Sequence, residues 1–277
     1  GATTASVLVS ASTMPWPELA ALYPSLLAAS QRKQQGTWFT SAALATPTVA
    51  RTLAPLLAQP GTAPLRIVDP AVGGGTFLIA ALKELLAAGM PAHDALHCLH
   101  GVDLDSTAAA LAALAVWSTA QLQVDALLEL AGNVRHADGL LDLPAQTFDA
   151  VITNPPWETL QSTVDAAARA VQLRRHFHHQ GKGKLYTYRL FTERAHQLLH
   201  NGGRFGLIVP ASLWFDREAL PLRNLLLDEC SWEWLFGFEN HEKLFAIDSR
   251  YRFAAIVGAK GGSTAAVKTS FGHTSIA

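Results

Sequence analysis

The sequence predicts an α/β fold built on a doubly wound, mostly parallel sheet of seven strands, with the last strand antiparallel. First, short apolar segments alternate with helical patterns from residue 65 to residue 210, which is typical of parallel strands covered on both faces. Second, 49% of the 277 residues are hydrophobic, enough for a large core. Third, the last two strand patterns are separated by too little chain for a long crossover helix, which favours an antiparallel ending.

The elements follow from apolar periodicity and from the turn residues between them. Helical spacing covers residues 16–30 and 48–58 ahead of the first strand. The predicted strands are residues 65–69, 99–103, 133–138, 148–153, 204–210, 232–238 and 251–259. The predicted helices between them are residues 76–89, 106–121 and 185–200.

Composition indicates a soluble protein with no membrane partner. The longest apolar stretch, residues 205–215, is too short to cross a bilayer. The two cysteines, Cys98 and Cys230, lie far apart without a C-x-x-C spacing, so we expect reduced buried thiols and a cytoplasmic location. The histidines in "HFHH", residues 176–179, have no accompanying carboxylate or thiolate, so no metal site is predicted.

Positive charge is concentrated in one segment, although the net charge of −1 gives no overall sign of nucleic-acid binding. No acidic residue lies between Asp165 and Glu193. The cations of this segment are Arg169, Arg174, Arg175, Lys182, Lys184 and Arg189. The pattern predicts a basic loop, which would be either a phosphate contact or an ordinary solvated loop.

Three predicted strands end in an acidic residue, at the edge where doubly wound sheets bind ligands. Asp69 opens the glycine-rich turn "DPAVGGGTF", which lacks the lysine of a P-loop and has Leu78 in place of the third glycine of the dinucleotide fingerprint. Asp103 is placed to accept hydrogen bonds from a ribose diol, and Asp138 from an adenine amine, while Leu104 can lie against the adenine. Each aspartate alone could be a helix cap or turn residue. Together they favour S-adenosylmethionine over a dinucleotide.

The fourth parallel strand ends in "TNPPW". Pro155 has no N–H to continue a ladder, and Pro156 restricts Pro155 to an extended conformation. The side-chain oxygen of Asn154 and the carbonyl of Pro155 are then available to accept hydrogen bonds from one amino group, with Trp157 as a flat face beside it. The sequence therefore predicts a site for a planar amine.

These motifs resemble a known family. "DPAVGGGTFL", "GVDLD", "HADGL" and "TNPPW", in this order, are similar to motifs I to IV of the amino-group DNA methyltransferases that modify adenine, in the γ arrangement. Residues 32–45 resemble their motif X, with Thr40 or Thr46 as its threonine. The later segments "GKLYTYRLFTERAHQLLHNGGRFGLIVPASLW" and "ENHEKLFAIDSRYRF" resemble the methylase domain of Eco57I-type restriction-modification and phage-defence systems.

The resemblance implies a class I, Rossmann-like methyltransferase that uses S-adenosylmethionine to methylate the N6 amine of a flipped-out adenine in double-stranded DNA. It implies Asn154, Pro155, Pro156 and Trp157 as catalytic residues, and Trp157 with Phe245 as faces of the base pocket; Phe245 could equally be an ordinary core residue. The implied cofactor contacts are Thr40, Asp69, Ala71, Gly73, Gly75, Asp103, Leu104, Asp138 and Gly139.

The expected organisation is an N-terminal helical segment over residues 1–30, a catalytic domain over residues 31–262, and a tail over residues 263–277 leading to a target-recognition domain. A separate specificity subunit would serve the same purpose, and restriction or defence subunits are further expected partners. The alternatives are an amino-group methyltransferase acting on RNA or on a protein glutamine, and an inactive cofactor-binding module. "DPAVGGG" argues against the glutamine enzymes, whose loop typically reads Asp-Leu-Gly-x-Gly-Ser-Gly.

Overall fold

The structure is a computed structural model that describes residues 40–59, 63–160, 164–245 and 247–275. The helix predicted at residues 16–30, and with it the proposed N-terminal segment, lies outside the described residues. The strands are β1 (Ile67–Asp69), β2 (Leu99–Asp103), β3 (Val134–His136), β4 (Phe148–Thr153), β5 (Leu199–Pro210), β6 (Cys230–Glu239), β7 (Arg252–Lys260) and β8 (Lys268–His273). The helices are α1 (Ala42–Ala58), α2 (Thr76–Ala87), α3 (Ala92–His97), α4 (Ser106–Ala120), α5 (Val124–Asn133), α6 (Val164–His176), α7 (Thr187–Leu198), α8 (Ser212–Phe215) and α9 (Leu220–Glu229).

The strands form one sheet in the order β3-β2-β1-β4-β5-β7-β6-β8. Strands β1 to β5 are parallel, and β7 is antiparallel to both of its neighbours, β5 and β6. Chain order reverses between β1 and β4, so the crevice beyond their carboxyl ends is where a doubly wound sheet binds its ligand. The predicted α/β class, the parallel core and the antiparallel ending are confirmed.

Helices cover both faces of this sheet, as its buried strands require. One apolar core packs α1, α2, α4 and α5 against the sheet, with Leu44, Leu78, Val116 and Leu130 among its members. A second core lies on the other face between the sheet and helices α7 and α9. Within the described ranges, no helix combines the length and the apolar character needed to span a membrane.

The prediction of seven strands is wrong by one strand. Strand β8 pairs parallel with β6 at the edge of the sheet, inside the stretch predicted to be a tail. Its residues are mostly exposed, and the sequence "KTSFGH" lacks the apolar alternation of a half-buried strand. Polar edge strands of this kind escape detection because backbone hydrogen bonding holds them, with little contribution from apolar burial.

Candidate active site

The turn after β1 brings backbone N–H groups to the carboxyl edge of the sheet. Gly73 has φ +49° and Gly75 has φ +83°, conformations that favour glycine, and Gly75 is the N-cap residue directly before α2. The Val72 N–H donates to the carbonyl of Val102, which ties the turn to the end of β2. A side chain at Gly139 would clash with the Pro70 carbonyl, because its Cβ would lie 1.9 Å from that oxygen. The turn after β3 therefore packs directly on the turn after β1.

Asp69 is a buried carboxylic acid at the centre of this edge. Its side chain is 1% exposed and accepts a hydrogen bond of 3.1 Å from the backbone N–H of Ala71. Burial raises the pKa of Asp69 from 3.8 to about 7; the Thr153 hydroxyl and the Ala71 N–H oppose this, and Asp103 adds to it. A carboxylate in this position would gain much from a cationic ligand, because the charge lacks full compensation from the protein.

Asp103 fixes the glycine turn from the neighbouring strand. One carboxylate oxygen accepts from the Gly73 N–H at 2.9 Å, and the other accepts from the Asp105 N–H at 2.9 Å. Burial is the largest cause of its raised pKa. The next residue, Leu104, is 66% exposed, so this side chain is an apolar surface open to a ligand.

Asp138 reaches the same edge but is engaged by an arginine. Its Oδ1 accepts from the Leu140 N–H at 2.9 Å, and its Oδ2 forms an ion pair with Arg169 of α6. Arg169 was predicted to lie in a basic loop, but residues 164–176 form a helix. A ligand amine would have to share or displace this ion pair to reach the carboxylate.

Asn154 follows β4 with one side of its amide fixed and the other free. Its Nδ2 donates to Thr40 Oγ1 at 2.8 Å, while its Oδ1 is buried and has no hydrogen-bond partner. Of the two candidate motif X threonines, Thr40 reaches the site, whereas Thr46 lies within α1 and is exposed. Thr40 is positioned because α1 begins two residues later, with the Ser41 carbonyl accepting from Leu44 and Ala45.

The turn over Pro155 and Pro156 is held by Thr187, which was not among the predicted site residues. The hydroxyl of Thr187, at the start of α7, donates to the Pro156 carbonyl at 2.7 Å and contacts the Glu158 carbonyl at 2.9 Å. The Glu158 N–H donates in return to this hydroxyl at 3.0 Å. The turn that carries Asn154 is thereby fixed at both ends, by Thr40 and by Thr187.

Trp157 belongs to an aromatic cluster beside Asn154. Its ring contacts Phe245 edge to face, with centroids 5.2 Å apart, and lies 5.8 Å from Phe253. Phe245 is 2% exposed, so the two predicted stacking residues touch each other and leave no gap for a base between them. The structure brings them together in a closed arrangement.

Asn240 clamps the turn that carries Phe245. This asparagine is fully buried; its Oδ1 accepts from the Phe245 N–H at 2.8 Å, and its Nδ2 donates to the Phe245 carbonyl at 3.0 Å. Nδ2 also lies within hydrogen-bond distance of the carbonyls of Ile247 and Asp248. The sequence gives little indication of this role for Asn240, since a single asparagine near a strand end is most often a turn residue.

The basic segment is only partly available to a ligand. Besides Arg169, two of its cations are committed internally: Arg174 donates to the carbonyls of Gly181 and Gly183, and Arg189 is fully buried in an ion pair with Asp216. The expectation of one continuous basic loop is therefore wrong. The remaining cations, Arg175, Lys182 and Lys184, are exposed.

Comparisons with known proteins agree with this architecture. The family model of the Eco57I restriction-modification methylase matches residues 97–245, whereas no curated protein matches the chain. Among solved structures, the chain resembles a protein assigned as a class I S-adenosylmethionine-dependent methyltransferase from Listeria monocytogenes, with 17% identity, a TM-score of 0.64, and 94% of this chain and 72% of that chain covered.

Two restriction-modification proteins show the same likeness over part of their length. For the type IIG restriction endonuclease BpuSI, the identity is 20% and the TM-score 0.66, with 93% of this chain and 29% of that chain covered. For a type I restriction-modification methyltransferase subunit from Streptococcus thermophilus, the values are 17% and 0.60, with 85% and 47% covered. At these identities the likeness establishes the class I methyltransferase fold, and the chain spans less than half of both proteins.

Proposed function

The chain belongs to the Eco57I restriction-modification methylase family, and we propose that it transfers a methyl group from S-adenosylmethionine to the exocyclic amine of an adenine in DNA. The observation that carries this proposal is the buried, unpartnered Oδ1 of Asn154. With Nδ2 donating to Thr40, the other end of the amide keeps its acceptor unpaired at the end of β4. A buried acceptor without a partner costs about 1–3 kcal/mol, and an amino group in the crevice would remove that cost.

Asn154 would act on the amine as charge develops. The lone pair of an aromatic amine is delocalised into the ring, so hydrogen bonds from its protons to Asn154 Oδ1 and the Pro155 carbonyl favour a more localised, nucleophilic nitrogen. That nitrogen becomes positive as the new bond forms, and acceptors fixed beforehand stabilise it without reorganisation. One such group is worth roughly 10²–10³ in rate. No general base is required before transfer, because the amine becomes strongly acidic only afterwards.

The residues at the edge of β1, β2 and β3 fit S-adenosylmethionine, which supplies an electrophilic methyl group on a sulfonium when bound. A buried carboxylate with a raised pKa suits a ligand with a positive charge and disfavours a pyrophosphate. In this proposal Asp69, Ala71, Gly73 and Gly75 hold the amino-acid end together with Thr40. Asp103 holds the ribose, and Leu104, Asp138 and Gly139 contact the adenine ring.

Trp157 and Phe245 would hold the target base. Because the amine lies inside the duplex, the base must leave the stack, which costs a few kcal/mol and is partly offset by stacking on an aromatic ring. Their contact with each other implies that one ring moves when the base enters. Pro155 and Pro156 contribute by fixing the turn, while Thr187 holds it from α7.

Sequence recognition would need surfaces beyond this crevice, since contacts to one flipped base and nearby phosphates specify little sequence. We propose that the catalytic domain, predicted over residues 31–262, extends through β8, which belongs to the same sheet. A target-recognition domain or specificity subunit, and restriction or defence subunits, would be its partners. The exposed Arg175, Lys182 and Lys184 are candidate DNA phosphate contacts. A cytoplasmic location, where DNA and the cofactor are both present, completes the proposal.

Incubation with methyl-labelled cofactor and matched panels of duplex DNA, RNA and protein tests this function. We expect labelled N6-methyladenine in DNA, and a loss of roughly 10² or more in transfer rate for Asn154→Ala with nearly unchanged cofactor affinity. Asn201→Ala, at an exposed position near the start of β5, is the matched control. Label appearing in cytosine, RNA or glutamine instead, or cofactor binding without transfer to any substrate, would overturn the assignment.

A further inference from the structure

Two histidines and a glutamate converge on the surface between α3 and α5. His93 and His97 lie four residues apart, one turn of α3, and their imidazoles are in edge contact with centroids 4.6 Å apart. Glu129 faces them from α5. Among the described residues, these three side chains form a group whose ligand atoms are close enough together to share one metal ion.

The ligand atoms are spaced as a metal would require. Nε2 of His93 lies 3.1 Å from Glu129 Oε2, and Nε2 of His97 lies 3.3 Å from the same oxygen. A tetrahedral ion with bonds of about 2.0–2.1 Å separates its ligands by about 3.3 Å. All three ligand atoms lie within 4.8 Å of one another, so small rotamer adjustments of exposed side chains would complete the triangle.

We propose that His93, His97 and Glu129 bind a divalent transition-metal ion, with Zn²⁺ as the best fit, and that solvent occupies the fourth position. Two imidazole nitrogens with one carboxylate oxygen form a ligand set that suits zinc, whereas magnesium and calcium prefer oxygen ligands throughout. About half of each side chain is exposed, at 54% for His93, 47% for His97 and 50% for Glu129, so the ion can enter from solvent.

The proposed metal site lies away from the proposed cofactor crevice, so a bound ion would affect the stability of the folded protein. α3 leads into the amino end of β2, and α5 leads into the amino end of β3, whereas the proposed cofactor residues lie at the carboxyl ends. The ion would join two helices contributed by separate parts of the chain. Because the native state would bind it and the unfolded chain would not hold the same triad, the ion should favour the folded state.

The experiment uses tag-free protein, freed of metal by chelation, with Zn²⁺ as the probe in calorimetry and in thermal unfolding. We expect one ion per chain and a Tm that rises with Zn²⁺ concentration. His97→Gln and Glu129→Gln should each weaken binding by roughly tenfold or more and abolish the rise. The matched control replaces His176 and His178 by Gln, which removes two exposed histidines of the "HFHH" segment.

Each result decides the proposal. Retained Zn²⁺ binding in the control, with loss in the two triad variants, supports the site. Absence of stoichiometric binding to the wild type, or loss of binding in the control but not in the triad variants, overturns it. Circular dichroism of each metal-free variant confirms folding, and His93→Gln provides a third independent variant. Methyl transfer is a separate readout: we expect it to be unchanged in these variants, and its failure in the wild type would bear only on the proposed function.

Discussion

Replacing Asp69 by asparagine should make the free protein more stable and the cofactor complex weaker. The side chain is 1% exposed, and burial raises its pKa from 3.8 to about 7. The folded protein therefore holds this proton up to about pH 7, while the unfolded chain releases it near pH 4. Stability falls as pH rises through this window, because the folded state binds more protons than the unfolded state.

The size of the effect follows from the shift. From 3.8 to about 7, at 1.36 kcal/mol per unit, the ionised carboxylate costs about 4 kcal/mol of unfolding free energy at pH 8. Asparagine has nearly the same shape, keeps an oxygen for the Ala71 N–H, and carries no charge. We expect the Asp69→Asn variant to be about 2–4 kcal/mol more stable than the wild type at pH 8, and nearly equal to it at pH 4.

Urea unfolding of both proteins at pH 4 and pH 8 measures this difference, and calorimetry with S-adenosylmethionine measures the affinity. Loss of a charged partner should weaken cofactor binding by about 1.5–3 kcal/mol. Asp228→Asn is the control, since that carboxylate is exposed. A stability difference that does not change with pH would refute the argument from burial. Unchanged affinity would refute the cofactor role of Asp69 alone.

Three further outcomes test other parts of the site. Trp157→Ala should lose about 1–3 kcal/mol of substrate binding on duplex DNA and less on DNA with an unpaired target adenine; equal losses would count against base flipping. Replacing Lys182 and Lys184 by alanine should make the slope of log K against log salt shallower, by an amount that corresponds to the loss of up to about two phosphate contacts. An unchanged slope would exclude both residues as phosphate contacts. Asn240→Ala should destabilise the protein by about 1–3 kcal/mol in urea unfolding and slow transfer to duplex DNA at constant cofactor affinity; normal kinetics would make its role purely structural.

The sequence was most informative where apolar pattern and turn chemistry are adjacent in the chain. All seven predicted strands are present, because most are short runs of apolar residues bounded by helices or turns in the chain. The strand pattern locates the three aspartates: Asp69 and Asp103 end β1 and β2, and Asp138 lies two residues after the end of β3. Interactions between distant residues were not accessible in the same way: the pairing of Asp138 with Arg169 depends on a helix that the basic composition concealed.

The aromatic contact shows the same limit. Only family resemblance linked Trp157 to Phe245, since 88 residues separate them and either could have been an ordinary core residue. Their closed contact, and the Asn240 clamp behind it, depend on how β6 and β7 return to the sheet after its parallel part. Periodicity places those strands but does not determine which turn residues meet across them.

Two buried acids differ in how many hydrogen bonds they accept. The comparison indicates that the shortage of donors around Asp69 is a feature of the site and is not a general consequence of burial. Glu193, 2% exposed, accepts from the backbone N–H groups of His178 and His179, and from Gln180 Nε2 at 2.6 Å. Asp69 is equally buried but accepts one backbone hydrogen bond, from the Ala71 N–H, with the Thr153 hydroxyl nearby. The fold thus supplies several hydrogen-bond donors to Glu193, a buried carboxylate outside the proposed site. Asp69 and the unpaired oxygen of Asn154 lie at the ends of adjacent strands. The same crevice therefore holds a carboxylate that a cation would stabilise and an acceptor that an amine would pair. A bound cofactor and a target base would supply these two partners together.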